Sequence, residues 1–226
     1  MNLLTISSYS SLIIQFVTGI VGLYGNSHKL DKKDEILKSA LKLETLVQLV
    51  EFIFYVYLVY SIHNKIVPNN ITSIRYFDWM ITTPTMLLST IIYLKYNEEK
   101  EKNKTIELFD LLKSEKNNIL KILFANWMML LFGYLGEINV IDIKYTTPIG
   151  FIFFAYMFKL LYSNYAVKTE EGLKLYWSMF FIWSLYGVAA VFDFNIKNTS
   201  YNILDIFAKN FYGIFLFILI KSKSIN

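Results

Sequence analysis

ILDIFAKNFYGIFLFILI, residues Ile203 to Ile220, is an apolar segment of helical length that two charges interrupt. Lys209 stands within it, and Asp205 lies four residues earlier, which places both side chains on one helix face. A lysine at the centre of a bilayer costs about 2.5–3.5 kcal/mol to insert. Such a cost indicates a use for the amine, and a buried, partnered amine suits imine formation with an aldehyde.

The composition indicates a helical membrane protein. Of the 226 residues, 55% are hydrophobic and 18% are charged, against about 25% charged residues in an average soluble domain. A soluble domain of this length could not bury so many apolar helices on all sides. The chain has no cysteine, which excludes disulfides, thiolate catalysis and cysteine metal sites; we expect no metal site. No removable signal peptide is recognisable at the N-terminus.

Seven apolar segments are long enough to cross a bilayer, which takes about 20 residues. We place them at residues 9–28, 38–61, 71–94, 118–137, 147–166, 173–194 and 201–221. The predicted fold class is an all-α membrane protein, a bundle of seven transmembrane helices that forms a single domain over residues 1–226.

Lysines are distributed unevenly between the two sides of this bundle. One side carries most of them: Lys29, Lys32, Lys33, Lys38, Lys95, Lys100, Lys102, Lys104, Lys113, Lys116, Lys168, Lys174, Lys221 and Lys223. The other side carries Lys65, Lys144 and Lys197. The positive-inside rule then predicts an extracellular N-terminus and a cytoplasmic C-terminus. The same bias explains the net charge of +4, so nucleic acid is not an implied partner.

The longest connection, from Tyr96 to Asn117, contains TIELFDLLKSEK. Ile106, Phe109 and Leu112, with Lys113, recur at helical spacing and predict a short amphipathic helix on the cytoplasmic surface. A mobile charged loop is the alternative.

The third span begins RYFDWMITTP, residues 75–84. Arg75, Asp78, Thr82 and Ser89 are spaced by three, four and seven residues, so they share one helix face. Pro84 is tolerated within the membrane if neighbouring groups satisfy the freed backbone. The two charges could form only a structural ion pair, but the second charged pair, Lys209 and Asp205, favours a functional role.

These motifs resemble the microbial rhodopsins. RYFDWMITTP is similar to the third helix of that family, WSLYGVAAVFD from Trp183 to its sixth, LDIFAKNFYG from Leu204 to its seventh, and ANWMMLLFGYLG from Ala125 to its fourth. The resemblance implies all-trans retinal, bound to Lys209 as a protonated Schiff base. It also implies two counterions, Asp78 and Asp205, with Arg75 to balance them. Thr82 lies one turn from Asp78 and is expected to hydrogen-bond its carboxylate.

The resemblance also implies the walls of a retinal pocket. Trp79 and Trp183 match the rings that sandwich the polyene, and Gly150 matches a position near its ring end. Gly187 stands where many pumps have proline. The other matching positions are Thr83, Met86, Met129, Gly133, Phe154, Tyr186 and Ala208. A stripe of aromatic residues and methionines is usually ordinary core, and Lys209 is what argues for a pocket here.

At the positions that serve proton pumping in this family, the chain carries residues that suit pumping poorly. Ser89 stands where efficient pumps have a carboxylic proton donor, and a hydroxyl relays a proton but does not supply one near neutral pH. The extracellular release glutamates are also missing. Lys197 and Asn198 occupy that region, and Asp193 is the only acid expected nearby.

The second span points to a channel instead. Glu44, Gln48, Glu51 and Tyr55 form one polar stripe, and a carboxyl group near the bilayer centre needs water, a partner or its proton. Similar stripes run along the first and seventh spans through Ser11, Gln15, Thr18, Asn198, Asn202 and Asp205. Polar faces that line one another suit a cation pathway, and the second stripe resembles that of the channelrhodopsins. Hydrogen bonding between packed helices is the alternative.

The predicted function is that of a light-gated cation channel, similar to rhodopsins encoded by large viruses of algae. An outward proton pump is the first alternative, a sensory photoreceptor the second, and a lysine-dependent enzyme without retinal the last. Thr83 stands opposite Asn126 on the fourth span, where a hydrogen bond between them would set the photocycle rate. We expect the lipid bilayer and cations or protons as partners. The expected location is a cell membrane, with the membrane of an infected host cell as one option, and homo-oligomerisation is left open.

Overall fold

The computed structural model describes residues 2–66 and 70–225. Seven long helices are present among them. They are α1 (Leu3–Asn26), α2 (Ile36–His63), α3 (Ile71–Glu101), α4 (Lys116–Glu137), α5 (Ile143–Asn164), α6 (Glu170–Ala189) and α7 (Phe194–Ser222). A short helix, Leu108–Ser114, joins α3 to α4. The described residues form no strand, apart from one isolated bridge between Leu30 and Ser224. The predicted seven-helix fold class is confirmed.

Polar side chains and ion pairs set the ends of several helices. Asp193 accepts hydrogen bonds from the backbone amides of Asn195 and Ile196, both at 3.1 Å, and so caps α7 at Phe194. The last span therefore begins before the predicted residue 201. At the other end of α3, Lys95 and Lys102 pair with Glu98 at 2.9 and 2.6 Å. These pairs extend the helix beyond the predicted residue 94.

The bundle closes on itself, since each helix packs on its neighbours in chain order and α7 packs on both α1 and α2. Four helices, α1, α2, α4 and α7, are long and apolar enough to span a membrane by composition alone. Each of the seven helices also exposes a large apolar side chain to the outside. Examples are Phe16, Ile53, Phe77, Phe124, Ile152, Phe181 and Phe211. An apolar exterior around a polar interior is the arrangement that a bilayer requires.

Pro84 lies inside α3 without breaking it. A proline has no N–H, so the carbonyl of Met80 one turn earlier loses its helical partner. Trp127 of α4 donates its indole N–H to that carbonyl at 3.4 Å. A neighbouring helix therefore satisfies the freed backbone, as predicted.

The short helix Leu108–Ser114 confirms the predicted helix in the long connection. Ile106 and Leu112 of the predicted apolar face pack against the core, and only Phe109 does not. Phe109 is 75% exposed, whereas Leu111 is fully buried against the core. Leu111 takes this place because the helix lies close to the ends of α3 and α4, which cover its Leu111 side and leave Phe109 outside.

The orientation of the bundle can be tested with single cysteines, because the native chain has none. Lys104 and Val140 are exposed in connections at opposite ends of the bundle. By the positive-inside rule, a membrane-impermeant maleimide applied to intact cells is expected to label Val140→Cys and to leave Lys104→Cys unlabelled until the cells are permeabilised. Labelling of Lys104→Cys on intact cells would reverse the predicted orientation.

Candidate functional site

Lys209 lies in a local irregularity of α7. Residues Ile206–Asn210 form a π-helical turn, a feature that occurs mostly at functional sites. The side chain of Lys209 is 2% exposed, and its Nζ lies 3.0 Å from Oδ1 of Asp205. The predicted pairing of these two residues on one face is therefore present.

Two further carboxylates reach the same amine. Oδ2 of Asp78 on α3 lies 3.7 Å from Lys209 Nζ. Glu51 on α2 contacts Lys209 Nζ directly through Oε1. Glu51 was predicted as a pathway residue and not as a partner of the lysine. The helical stripe revealed which way Glu51 faces, but only the packing of α2 on α7 brings it to Lys209.

Arg75 holds Asp205 from the other side. Its Nη1 lies 3.3 Å from Asp205 Oδ2, and both side chains are fully buried. Tyr55 and Tyr186 donate hydroxyl hydrogen bonds to the two oxygens of Asp205 at 2.7 and 2.8 Å. Asp205 is therefore the most fully hydrogen-bonded acid of the site.

Arg75 is itself held by two asparagines of α7. Asn198 accepts a hydrogen bond from Arg75 Nε at 3.1 Å, and Asn202 accepts one from its Nη2.

Asp78 differs from Asp205 in this respect. Its Oδ1 has no hydrogen-bond partner among the described residues. The predicted bond from Thr82 to the Asp78 carboxylate is wrong, because the Thr82 hydroxyl donates to the backbone carbonyl of Asp78 at 3.1 Å. A threonine inside a helix readily bonds the carbonyl four residues earlier, and this local bond wins here.

Three acids and two cations thus share one buried site: Glu51, Asp78 and Asp205 with Arg75 and Lys209. If all five were ionised, the group would carry a charge of −1. A low-dielectric interior strongly disfavours an uncompensated charge. The group is neutral only if it holds one further proton, and any change of charge at Lys209 changes that requirement.

Lys209 also lines an apolar cavity between α3, α4, α5, α6 and α7. All the predicted pocket residues border it: Trp79, Thr83, Met86, Met129, Gly133, Gly150, Phe154, Trp183, Tyr186, Gly187, Ala208 and Lys209. Sequence reasoning missed other lining residues: Tyr76, Leu130, Thr146, Thr147, Phe151, Ala190 and Tyr201. Tyr76 lies three residues from Trp79, and Tyr201 lies four from Asp205, so helical spacing alone could have found these two.

Aromatic contacts fix the wall of the cavity near Lys209. The ring of Trp79 meets those of Tyr186 and Tyr201 edge to face, with centroids 5.6 and 5.0 Å apart. Such pairs are favourable beyond the area they bury. At Gly187, an added Cβ would overlap the ring of Phe151, so this glycine allows α5 and α6 to approach closely.

The predicted bond between Thr83 and Asn126 is present. Asn126 of α4 donates its amide to the Thr83 hydroxyl at 2.8 Å, and both side chains are buried. The bond links α3 to α4 beside the cavity. Its effect on the photocycle rate stays a prediction.

The predicted pathway residues all lie buried where α1, α2, α3 and α7 meet. We call this set the polar seam, and it consists of Ser11, Gln15, Glu44, Gln48, Glu51, Ser89 and Asn202. Asn210 of α7, which sequence reasoning missed, joins its middle by donating to Gln15 at 2.9 Å and to Gln48 at 2.6 Å. The Ser11 hydroxyl donates to the Asn202 carbonyl at 3.1 Å. Glu44 and Ser89 are in hydrogen-bond contact.

The seam is hydrogen-bonded but not fully satisfied. Four of its buried polar atoms, and one of the neighbouring Asn210, lack a protein partner among the described residues: Gln15 Nε2, Glu44 Oε2, Gln48 Nε2, Glu51 Oε2 and Asn210 Oδ1. Buried polar atoms of this kind are normally satisfied by internal water. The seam therefore combines closed packing with groups that favour hydration.

The region of the missing release glutamates holds one more acid than predicted. Lys197 of α7 pairs with Glu137 at the end of α4, at 2.8 Å. Asp193 is therefore not the only acid there, and Asp193 itself serves as the cap of α7. The two residues of the ion pair are 60 positions apart, so only the closure of the bundle brings them together.

Comparisons with known proteins agree with this architecture. Residues 2–223 match the family model described as bacteriorhodopsin-like protein. The crystal structure of the viral rhodopsin OLPVRII is 30% identical, with a TM-score of 0.85 over 98% of this chain and 99% of that one. No curated protein sequence matches the chain.

Two further solved structures share the fold. The blue light-absorbing proteorhodopsin from Med12 is 20% identical, with a TM-score of 0.75 over 98% of each chain. The rhodopsin of Exiguobacterium sibiricum is also 20% identical, with a TM-score of 0.75 over 98% of this chain and 97% of its own. At this identity the likeness supports the arrangement of the helices and nothing about transport.

The buried network makes Arg75 a test of stability. Arg75→Gln removes the cation at Oδ2 of Asp205 and leaves this carboxylate with Lys209 alone, and breaking a buried ion pair costs about 3–5 kcal/mol. We expect a clear fall in the thermal unfolding temperature in detergent. Lys144→Gln is the control, since its pair with Asp142 is exposed and little stability should be lost. Equal unfolding temperatures for both variants would show that the Arg75 network is not structural.

Proposed function

Because the chain belongs to the bacteriorhodopsin-like proteins, the microbial rhodopsin family, we propose that it is a light-gated cation channel whose path follows the polar seam. It is a multi-pass membrane protein, and all-trans retinal is its cofactor. The observation that carries the channel proposal is the seam itself. Seven buried polar side chains, two of them carboxylic acids, follow the junction of four helices past Lys209.

The cavity beside Lys209 fits retinal by its chemistry. Lys209 supplies an amine, and the walls are aromatic, aliphatic and methionine side chains. At Gly133 an added Cβ would lie 2.8 Å from the Tyr76 hydroxyl, so the glycine leaves room for the cavity wall. Bound through Lys209, retinal supplies absorption of visible light and a change of shape. Trp79 and Trp183 are proposed to orient it, and Asp78, Asp205 and Glu51 to hold the positive charge at the Lys209 nitrogen.

The acids differ in how freely they can take a proton from that nitrogen. Asp205 is held by Arg75 and two tyrosine hydroxyls. Asp78 has one oxygen without a partner in the described chain, and it pairs with no second cation within 4 Å. We therefore infer that Asp78, and not Asp205, accepts the proton that leaves Lys209.

Loss of the proton from Lys209 would weaken the ion pair between Lys209 and Glu51. Glu51 belongs to the seam and to the Lys209 site at once, so it couples the two. Once the ion pair is lost, the Glu51 carboxylate needs another partner, which water or a cation can supply. Entry of water between α1, α2 and α7 would then open the path.

An outward proton pump is the second candidate. Voltage clamp of cells that express the chain with added retinal separates the two. A channel passes cations down their gradient, so we expect photocurrents that reverse sign near the cation equilibrium potential and follow it when external cations change. Photocurrents that stay outward at every voltage and gradient would contradict the channel and support the pump.

The contact of Glu51 with Lys209 predicts a change of colour. Removing a negative charge near the Lys209 nitrogen should shift absorption to longer wavelength, so both Asp78→Asn and Glu51→Gln are expected to red-shift the visible spectrum. Glu107→Gln, an exposed acid in the connection after α3, is the control. An unchanged spectrum in Glu51→Gln would limit Glu51 to the seam, and one in Asp78→Asn would remove Asp78 as a counterion.

Gln15 tests the seam apart from the light reaction, because it contacts Asn210 and not the acids around Lys209. Gln15→Leu replaces a hydratable group by an apolar one. We expect a several-fold smaller photocurrent per retinal-loaded protein and an unchanged absorption spectrum. Ser178→Leu, at an exposed hydroxyl of α6, is the matched control. Equal currents in the two variants would place the path elsewhere.

A further inference from the structure

A groove separates α6 from α7 in the half of the bundle predicted to face the cytoplasm. In the other half the two helices pack together, up to the π-helical turn Ile206–Asn210 of α7. Beyond this turn, the segment Phe211–Ser222 packs on α1 and α2 instead. The space that remains between α6 and α7 has mostly apolar walls, with α3 at its floor. Its lining residues include Tyr93, Leu175, Met179, Ile182, Phe211 and Phe215.

The groove opens on the outer surface of the bundle, which the bilayer surrounds. Phe211 and Phe215 on its α7 rim are 54% and 39% exposed. Water would be a poor occupant, since a stable internal water needs about 2–4 polar partners and these walls are apolar. A long, narrow and apolar groove beside the bilayer therefore suits the acyl chain of a lipid.

The mouth of the groove carries charges of both signs, at the beginning of α6. Lys174 Nζ lies 2.9 Å from Glu170 Oε1 and 3.0 Å from Glu171 Oε1, and all three side chains are more than half exposed. Glu171 and Lys174 line the groove itself. Two acids and one lysine leave an excess of negative charge, which disfavours an anionic headgroup. A headgroup that joins a phosphate to an ammonium finds a partner for each charge.

A hydrogen-bond donor without a partner lies near this mouth. Asn97 follows Tyr93 of the groove floor by one turn of α3. Its Nδ2 is buried and has no hydrogen-bond partner among the residues that the structure describes. Buried donors are normally satisfied, and the ester and phosphate oxygens of a phospholipid are acceptors of the kind that this amide lacks.

The inner end of the groove reaches the wall of the retinal cavity. Trp183 and Ala208 border both the groove and the cavity. Trp183 follows Lys174 by nine residues of α6, which is about 14 Å along the helix. An acyl chain that enters beside Lys174 and follows α6 therefore ends against Trp183, on the opposite side of this ring from the cavity.

We propose that the groove is a binding site for one phospholipid with an ethanolamine headgroup. One acyl chain lies between α6 and α7 and ends at Trp183. The phosphate accepts hydrogen bonds from Lys174 and Asn97, and the ammonium donates to the Glu171 carboxylate, which favours ethanolamine over a headgroup without N–H groups. The bound chain fills the gap where α6 and α7 do not pack on each other. This site is independent of the proposed channel.

Native mass spectrometry of the retinal-loaded protein tests the site in the dark, after delipidation in detergent. Phosphatidylethanolamine and phosphatidylglycerol with identical acyl chains are titrated separately. We expect one phosphatidylethanolamine to bind to each chain about 10-fold more tightly than phosphatidylglycerol, because only the first offers an ammonium to Glu171. Equal affinities for the two lipids would overturn the proposal.

Two variants separate the headgroup from the acyl chain. Glu171→Gln removes the partner of the ammonium and should abolish the preference for phosphatidylethanolamine. Leu175→Trp fills the groove and should weaken binding of this lipid by about 10-fold or more. Leu185→Trp is the matched control, because Leu185 is an exposed position of α6 outside the groove, and it should bind as the native protein does. Native affinity in Leu175→Trp would show lipid on the bundle surface only and would contradict the site.

The unmodified protein gives a second test that does not depend on the folding of Leu175→Trp. Phosphatidylethanolamine with a photoactivatable diazirine in one acyl chain is added to the protein in nanodiscs, and cross-linked peptides are identified by mass spectrometry. Cross-links should concentrate on residues 175–183 of α6 and 207–215 of α7, and excess unlabelled phosphatidylethanolamine should displace them. Cross-links spread evenly over the seven helices would overturn the proposal.

Discussion

A buried amine among three carboxylic acids is the constraint on which the rest of the molecule depends. Lys209 can lie in the bundle only because Asp205, Asp78 and Glu51 approach it from α7, α3 and α2. Asp205 in turn needs Arg75 and two tyrosine hydroxyls. Each partner lowers the cost of another buried charge, so the helices that carry them must meet at one depth. The π-helical turn of α7 contains Lys209, and the closure of the bundle packs α7 against α2.

The same group of charges joins two parts of the protein that differ in character. On one side lies the apolar cavity that suits retinal, and on the other lies the polar seam. Glu51 belongs to the seam and contacts Lys209. Asn210, the residue after Lys209, donates hydrogen bonds to Gln15 and Gln48 of the seam. A change of charge at Lys209 Nζ therefore affects the contacts of side chains on four helices. The seam is packed in this structure, and its unpartnered polar atoms favour water.

Much of the fold and the site could be predicted from the sequence, because helical periodicity and membrane cost are local properties. Spacing placed Arg75 and Asp78 on one face, and the charge within an apolar segment singled out Lys209. Contacts between distant helices could not be predicted in the same way. Glu51 at Lys209, Glu137 at Lys197 and Glu44 at Ser89 depend on how helices pack. Thr82 and Phe109 show a second limit: a local backbone bond and a neighbouring helix decided where each side chain lies.

In the proposed channel, light turns the packed seam into a water-filled path. Its most direct measurement is the accessibility of a single cysteine at Gln48, in the middle of the seam, to a small cationic thiol reagent in nanodiscs. The native chain has no cysteine to interfere, and exposed Lys104→Cys serves as the control that reacts in light and dark. We expect Gln48→Cys to react under illumination and to be protected in the dark. Equal protection in light and dark, with Lys104→Cys fully labelled, would contradict it.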